Sequence, residues 1–230
     1  MTTVVILGVG GLGCPAALAL AEEAPGIRLI LVDPDRVERS NLARQILFTD
    51  GDVGEPKAIV AARRLAELVP SAQAEPRVAA FRPETAGALL AGCQLVLDGT
   101  DEFETRFAVN DAARASGIPL VHGAVLGWRG QILTVLPGTG SCLRCLFEGP
   151  PPRGAVPTCA EAGVVAPLCG VVGAAMASEA GRLLRGESPR WAGRLHQWDA
   201  LHSKERDVRV PPRPDCPTCA VAPRAALRHL

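Results

Sequence analysis

An α/β fold, with a mainly parallel sheet covered by helices on both faces, is what this 230-residue sequence predicts, and three features predict it. The chain opens on a short apolar run, a glycine-rich turn and a helix-forming stretch. Further apolar runs alternate with helical ones up to residue 123. Two Cys-x-x-Cys pairs then mark a C-terminal lobe pinned by metal and built on antiparallel strands.

Each element follows from local pattern. Val4-Val5-Ile6-Leu7 is a buried strand ending in Gly8-Val-Gly-Gly-Leu-Gly13, and Ala16 to Glu23 forms the helix behind it. Ile27 to Val32 is a second strand, closed by Asp33-Pro34. This order is the first half of a Rossmann-like nucleotide-binding sheet. Ala58 to Leu68 reads as a helix ended by Pro70, Leu95 to Asp98 as a strand, Phe103 to Ala115 as a helix and Pro119 to His122 as a strand. Beyond Gly123, a strand over Gly130 to Leu136 leads into the first cysteine pair. Glu148 to Pro157 is a Gly/Pro-rich loop. Ala162 to Leu184 is a small-residue helix whose first turn is expected near Pro167, since proline suits a helix start. Arg194 to Leu201 and Arg206 to Val210 resemble antiparallel strands running into the second pair. No clean linker interrupts residues 1–230, so one domain is expected, with residues 1–123 binding nucleotide and residues 124–230 carrying the metal lobe.

Composition removes several function classes. Basic and acidic residues number 24 each, so no net field draws the chain to nucleic acid or to an anionic membrane. The uncharged run Val4 to Ala21 carries Gly8, Gly10, Gly11, Gly13 and Pro15 with no basic residue before it, unlike a signal sequence or a membrane span. Cys14, Cys93, Cys159 and Cys169 show no disulfide pattern, which fits a reducing cytoplasm. Of 24 basic residues only Lys57 and Lys204 are lysines, and Asn41 and Asn110 are the only asparagines. A lysine kept against such a bias points to a chemical need that arginine does not meet.

Gly8-x-Gly10-x-x-Gly13 lets the backbone approach a phosphate at a helix N-terminus, whose N–H groups favour anions. Asp33 follows where an acidic side chain grips a ribose hydroxyl. These residues alone leave NAD and ATP open. The next segment favours ATP: Arg44 and Lys57 supply two cations for a triphosphate, and Asn41 supplies an orienting amide. At the next strand end, Asp98-Gly-Thr-Asp101 offers two carboxylates. Asp98 reads as a strand cap, whereas Asp101 reads as a magnesium ligand or a helix cap. Cys142, Cys145, Cys216 and Cys219 match the four thiolates of a structural zinc site.

In order and spacing these pieces resemble the ThiF/MoeB/HesA family, bacterial relatives of ubiquitin-activating enzymes. The resemblance is carried by the glycine loop, Asp33 to Asp35, Ser40-Asn-Leu-Ala-Arg44-Gln45, Gly54-Glu-Pro-Lys57, Asp98-Gly-Thr-Asp101, Thr158-Cys159-Ala-Glu-Ala-Gly163-Val and both cysteine pairs. It implies a mixed sheet, a zinc-bearing homodimer, and adenylation of the C-terminal Gly-Gly carboxylate of a ubiquitin-fold sulfur carrier protein by magnesium ATP. Sulfur from a donor such as a desulfurase then gives a thiocarboxylate for thiamin, molybdopterin or tRNA-thiolation pathways. Residue by residue, it gives Gly11 and Asp33 to the nucleotide, Ser40, Asn41 and Arg44 to ribose and phosphates, Lys57 to the α-phosphate and Asp101 to Mg2+. Cys159 becomes the candidate sulfur-transfer nucleophile.

Two departures from the family pattern stand out. The first strand begins at Val4, with no preceding helical arm to carry the arginine that reaches a partner subunit's site; Arg106, Arg129 or Arg153 would take that place. Glu102 stands where the family commonly has asparagine. A non-catalytic carrier-binding module is therefore the alternative function, with an NAD-dependent oxidoreductase third.

Overall fold

The computed structural model describes residues 1–152, 154–157 and 159–221, with the backbone alone at 159, 160, 220 and 221. Its centre is an eight-stranded sheet of order β3-β2-β1-β4-β5-β6-β7-β8. Strands β1 (Thr3–Leu7), β2 (Arg28–Val32), β3 (Gln73–Arg77), β4 (Leu95–Asp98) and β5 (Leu120–Leu126) run parallel. Strands β6 (Arg129–Val135), β7 (Arg194–Asp199) and β8 (Lys204–Arg209) continue it antiparallel. The expected mainly parallel sheet with an antiparallel extension is the observed one.

Strand β1 shows why the sheet is covered on both sides. Its side chains alternate, Val4 and Ile6 packing into one core and Val5 and Leu7 into the other. The first core is closed by helices α1 (Gly13–Glu23), α2 (Lys57–Leu68) and α7 (Ala166–Leu184), through Leu20, Leu65 and Met176. The second is closed by α3 (Pro83–Leu89), α4 (Phe103–Ala115) and the short turns α5 (Leu143–Leu146) and α8 (Pro217–Val221) that carry the cysteines.

The structure departs from the sequence expectation in a few places. Helix α7 has its proline in the first turn as expected, but begins at Ala166; a separate turn, α6 (Cys159–Ala162), precedes it. Strand β3 and helix α3 carry no sequence signal strong enough to announce them. Strand β3 reads Gln-Ala-Glu-Pro-Arg, with no apolar alternation, and its proline is tolerated because β3 is an edge strand. Among the described residues, no helix is long and apolar enough to cross a membrane.

Candidate nucleotide site and metal lobe

Strand order reverses between β1 and β4, the switch point at which open α/β sheets bind ligands beyond their carboxyl ends. A cavity of about 830 Å3 lies there, lined by the glycine loop, the ends of β1 and β2, the turn after β4 (residues 99–102), and the N-terminal turns of α2 and α4. Gly8 adopts φ 79°, a conformation natural to glycine, and a Cβ on Gly13 would overlap the Gly8 carbonyl oxygen. The tight turn aims the α1 N-terminus at the cavity, where its free N–H groups and dipole favour an anion.

Asp33, 4% exposed, lines the cavity and also builds it. Its Oδ2 accepts the Val9 N–H at 2.7 Å and its Oδ1 the Asp35 N–H at 2.8 Å. Burial pushes its carboxyl up from the ordinary range, against the pull of Lys57 and these two hydrogen bonds. Each oxygen keeps a further lone pair for a ligand hydroxyl.

On the adjoining wall, Lys57 begins α2 and is 7% exposed, its Nζ 2.9 Å from Asp35 Oδ2. Arg44 donates to Asn41 Oδ1 and to the Ser40 carbonyl, and has no carboxylate partner among the described residues. Ser40 itself is exposed, bonded to Glu38, and lies outside the cavity lining; Gly13 packs behind the loop rather than facing the cavity. Gln45, the last residue of the Ser40-Asn-Leu-Ala-Arg44-Gln45 motif, lines the cavity, and its buried Oε1 has no hydrogen-bond partner among the described residues. A nucleotide donor group would satisfy that orphan.

The opposite wall comes from the β4–α4 turn. Asp101 is exposed, lines the cavity and has no ion-pair partner among the described residues. Glu102 and Glu104 lie beside it, so this wall is acidic, while Arg44 and Lys57 line the same cavity. Such an arrangement suits a triphosphate whose charge is bridged by a divalent cation. Arg106 also lines the cavity, donating its Nε–H to the Thr100 carbonyl at 2.9 Å and stacking over Phe103. Of Arg106, Arg129 and Arg153, only Arg106 lines this cavity among the described residues; Arg129 lies elsewhere and Arg153 falls outside them.

Asp98 does not face the cavity. It is wholly buried, caps the turn by accepting the Thr100 N–H at 3.0 Å and Oγ1–H at 2.7 Å, and lies 2.8 Å from His122 Nδ1. Burial raises its pKa, but the His122 and Thr100 hydrogen bonds and the Arg106 charge outweigh burial and hold it below the ordinary carboxylate range.

The four Sγ atoms of Cys142, Cys145, Cys216 and Cys219 lie within 4.8 Å of one another, with separations of 3.7, 3.6 and 3.4 Å among them. A tetrahedron of sulfurs about 2.3 Å from zinc has edges of roughly 3.8 Å, so the cluster fits that ion. The Arg213 N–H points at Cys145 Sγ, 3.4 Å away, as a donor to a thiolate does. Asp111 of α4 grips both cysteine turns, taking Arg144 from one and the Thr218 hydroxyl, at 2.7 Å, from the other. Asn110 Oδ1 accepts the Leu143 N–H at 2.9 Å.

Cys159 begins α6, and its side chain lies outside the described residues, as does Thr158. The chain a few residues on, at Gly163 and Val165, bonds to Gly127, and Val164 lines the nucleotide cavity. Burial pushes the Cys14 and Cys93 thiols up to about 12 and about 11, which makes both poor nucleophiles. Cys169 is buried in the cavity wall beside Gly11.

Similarity to known proteins agrees with this geometry. The chain is 46% identical over 226 residues to the sulfur carrier protein adenylyltransferase of Thermus thermophilus, covering 96% of this chain and 83% of that protein. It is 44% identical over 216 residues to the SAMP-activating enzyme E1 of Haloferax volcanii, covering 94% and 79%. Against the bovine adenylyltransferase and sulfurtransferase MOCS3 it is 40% identical and spans about half of that protein's length, 48%. The fold is that of E. coli MccB, solved with ATP, at a TM-score of 0.83 and 22% identity, covering 95% of this chain and 66% of that one. The ThiF family profile matches residues 1–218, and the chain belongs to the ThiF family.

Proposed function

We propose that this chain uses ATP to adenylate the C-terminal Gly-Gly carboxylate of a ubiquitin-fold sulfur carrier protein. The observation that carries this reading is the convergence of the glycine loop, Asp33, Arg44 and Lys57 with Asp101 and Arg106 on one cavity. Relatives at 44–46% identity named as a sulfur carrier adenylyltransferase and a SAMP-activating enzyme support the substrate class.

The chemistry asks for positioning and charge neutralisation. The carrier carboxylate is ionised at neutral pH and attacks the α-phosphorus in line; a C–O–P link forms, the bond to the β-phosphate oxygen breaks, and pyrophosphate leaves. Lys57 and Arg44 stabilise the charge gathering on the α-phosphate, Asn41 and Gln45 orient the nucleotide, and Asp33 holds the ribose. Asp101 would hold Mg2+, which when bound neutralises the phosphates. Sulfur, from the donor directly or through Cys159, then attacks the acyl carbon; a C–S bond forms, the bond from that carbon to the phosphate oxygen breaks, and AMP leaves. In this reading residues 1–123 form the ATP-binding half and residues 124–230 the half that receives the carrier and zinc. Homodimerisation, a desulfurase partner, and a thiamin, molybdopterin or tRNA-thiolation pathway accompany the family resemblance.

ATP–pyrophosphate exchange, with Gly-Gly-terminated carriers added one at a time, tests this reading. Carrier-dependent exchange is expected, and its absence from folded, zinc-loaded protein would refute it. The second reading, a non-catalytic carrier-binding module, is favoured by Glu102, which lines the cavity and adds charge beside the phosphates. Carrier binding without ATP binding is its signature.

A further inference from the structure

Asp98 and His122 are register partners on the neighbouring strands β4 and β5, and both are removed from solvent, at 0% and 1% exposure. Burying a carboxylate and an imidazole together is costly, and an apolar pair of equal volume generally serves stability as well or better. Their neighbours Leu97 and Val121 are such a pair, aligned one step back in the same register. The polar pair therefore calls for a use, and its hydrogen bonds show where that use lies.

One oxygen of Asp98 meets His122 Nδ1 at 2.8 Å; the other takes both the N–H and the hydroxyl of Thr100. Thr100 in turn presents its carbonyl to Arg106 Nε at 2.9 Å, and Asp101 is the next residue. Among the described residues, the side-chain hydrogen bonds of the pair thus lead to the turn that carries Asp101 and braces Arg106. Buried Glu179 is a contrast: its bonds go to Thr134, Arg190 and Trp191, none of which lines the nucleotide cavity.

We propose that the buried Asp98–His122 pair is a positioning device for the phosphate end of the nucleotide site, setting the Thr100–Asp101 turn and, through the Thr100 carbonyl, the Arg106 guanidinium. His122 and Asp98 touch no part of the cavity, so they act through these residues and are not catalytic themselves. The proposal rests on the adenylation reading for the identity of the ligand, magnesium ATP.

Calorimetry of AMP and of ATP over a magnesium series, with pyrophosphate exchange in parallel, tests it on the full chain. His122→Leu removes the donor to Asp98; His122→Asn keeps an N–H donor the same number of bonds from Cα. For His122→Leu, the magnesium concentration giving half-maximal ATP affinity rises at least fivefold and exchange kcat falls at least tenfold. AMP affinity stays within twofold of wild type, because the glycine loop and Asp33 are untouched. His122→Asn recovers most of both losses. A His122→Leu protein that melts earlier yet keeps wild-type magnesium dependence and kcat would show a merely structural pair and overturn the proposal. Should His122→Leu fail to fold, Thr100→Val removes one of the two Thr100 bonds and must shift magnesium dependence in the same direction; no shift overturns the proposal. Failure of the adenylation reading appears differently, as wild type that binds magnesium ATP without exchange, and the magnesium series then decides the proposal alone. Wild type that binds no ATP overturns both.

Discussion

Asp33 Oδ2 accepts the Val9 N–H at 2.7 Å, so the carboxylate that the glycine-loop pattern assigns to ribose also holds the loop in shape. Its other oxygen takes the Asp35 N–H, which leaves no position for a donor on this side chain. Asp33→Asn must turn an NH2 toward one of these two N–H groups. Relief of a buried charge opposes this, but a donor facing a donor leaves a buried N–H unsatisfied, at about 1–3 kcal/mol. Urea unfolding is expected to show a loss of that order, with AMP affinity reduced at least tenfold. A variant with wild-type midpoint and affinity would show that the loop stands without Asp33.

Lys57 and Asp101 separate binding chemistry from stability. The Lys57 partner, Asp35, has a side chain 64% exposed, so losing the pair leaves a hydrated carboxylate, and Lys57→Ala should cost about 1 kcal/mol or less for the ion pair. At the α-phosphate the same change removes a fixed charge, for which a loss of about 100-fold or more in exchange rate is expected. Asp101→Ala should likewise leave the melting temperature near wild type and abolish exchange at ordinary magnesium concentrations. Normal turnover in either variant would refute the assignment.

Motif and period together made most of the N-terminal half readable, because strand β1, the glycine turn and α1 are each locally encoded. What escaped was relational. The Asp98–His122 contact depends on β4–β5 register, and the Lys57–Asp35 pair on how α2 returns to the end of β2. Neither is written in local spacing. Strand β3 escaped because an edge strand reading Gln-Ala-Glu-Pro-Arg has no apolar face to announce it, yet the segment just after it, Ala79 to Arg82, lines the cavity. Gln45 sits within the Ser40 to Gln45 motif, but only its buried Oε1, unpartnered among the described residues, singles it out on the cavity wall.

The cysteine cluster should bind one zinc ion per chain by elemental analysis. Chelation would leave four thiols converging beneath α4, whose Asp111 and Asn110 tie down both cysteine turns. Because metal binding is coupled to folding of the lobe, a loss of at least about 3 kcal/mol is expected, or roughly 6–12 °C in melting temperature for a chain of this size. AMP binding at the cavity, whose lining contains none of the four cysteines, should survive at temperatures where the chelated protein is still folded. Unchanged melting after complete zinc removal would rule out a structural role.

Asp98 gives the stability a specific dependence on acid. Its folded pKa lies below the ordinary value because the His122 and Thr100 hydrogen bonds outweigh burial. In the window between the folded and unfolded pKa values, the unfolded chain binds more protons. The contribution of Asp98 is therefore complete above about pH 4–5 and is lost as pH falls through the folded pKa. Asp98→Asn removes this titration, while an amide can still accept from Thr100 with its oxygen and donate to His122 with its nitrogen if the imidazole changes tautomer. Zinc release in acid is common to both proteins and cancels in the comparison. Urea midpoints from pH 7 down to pH 3 should fall less steeply for Asp98→Asn than for wild type, the two curves converging in acid. Parallel curves over the whole range would mean that Asp98 titrates alike in the folded and unfolded chains, and that the buried pair contributes nothing to acid sensitivity.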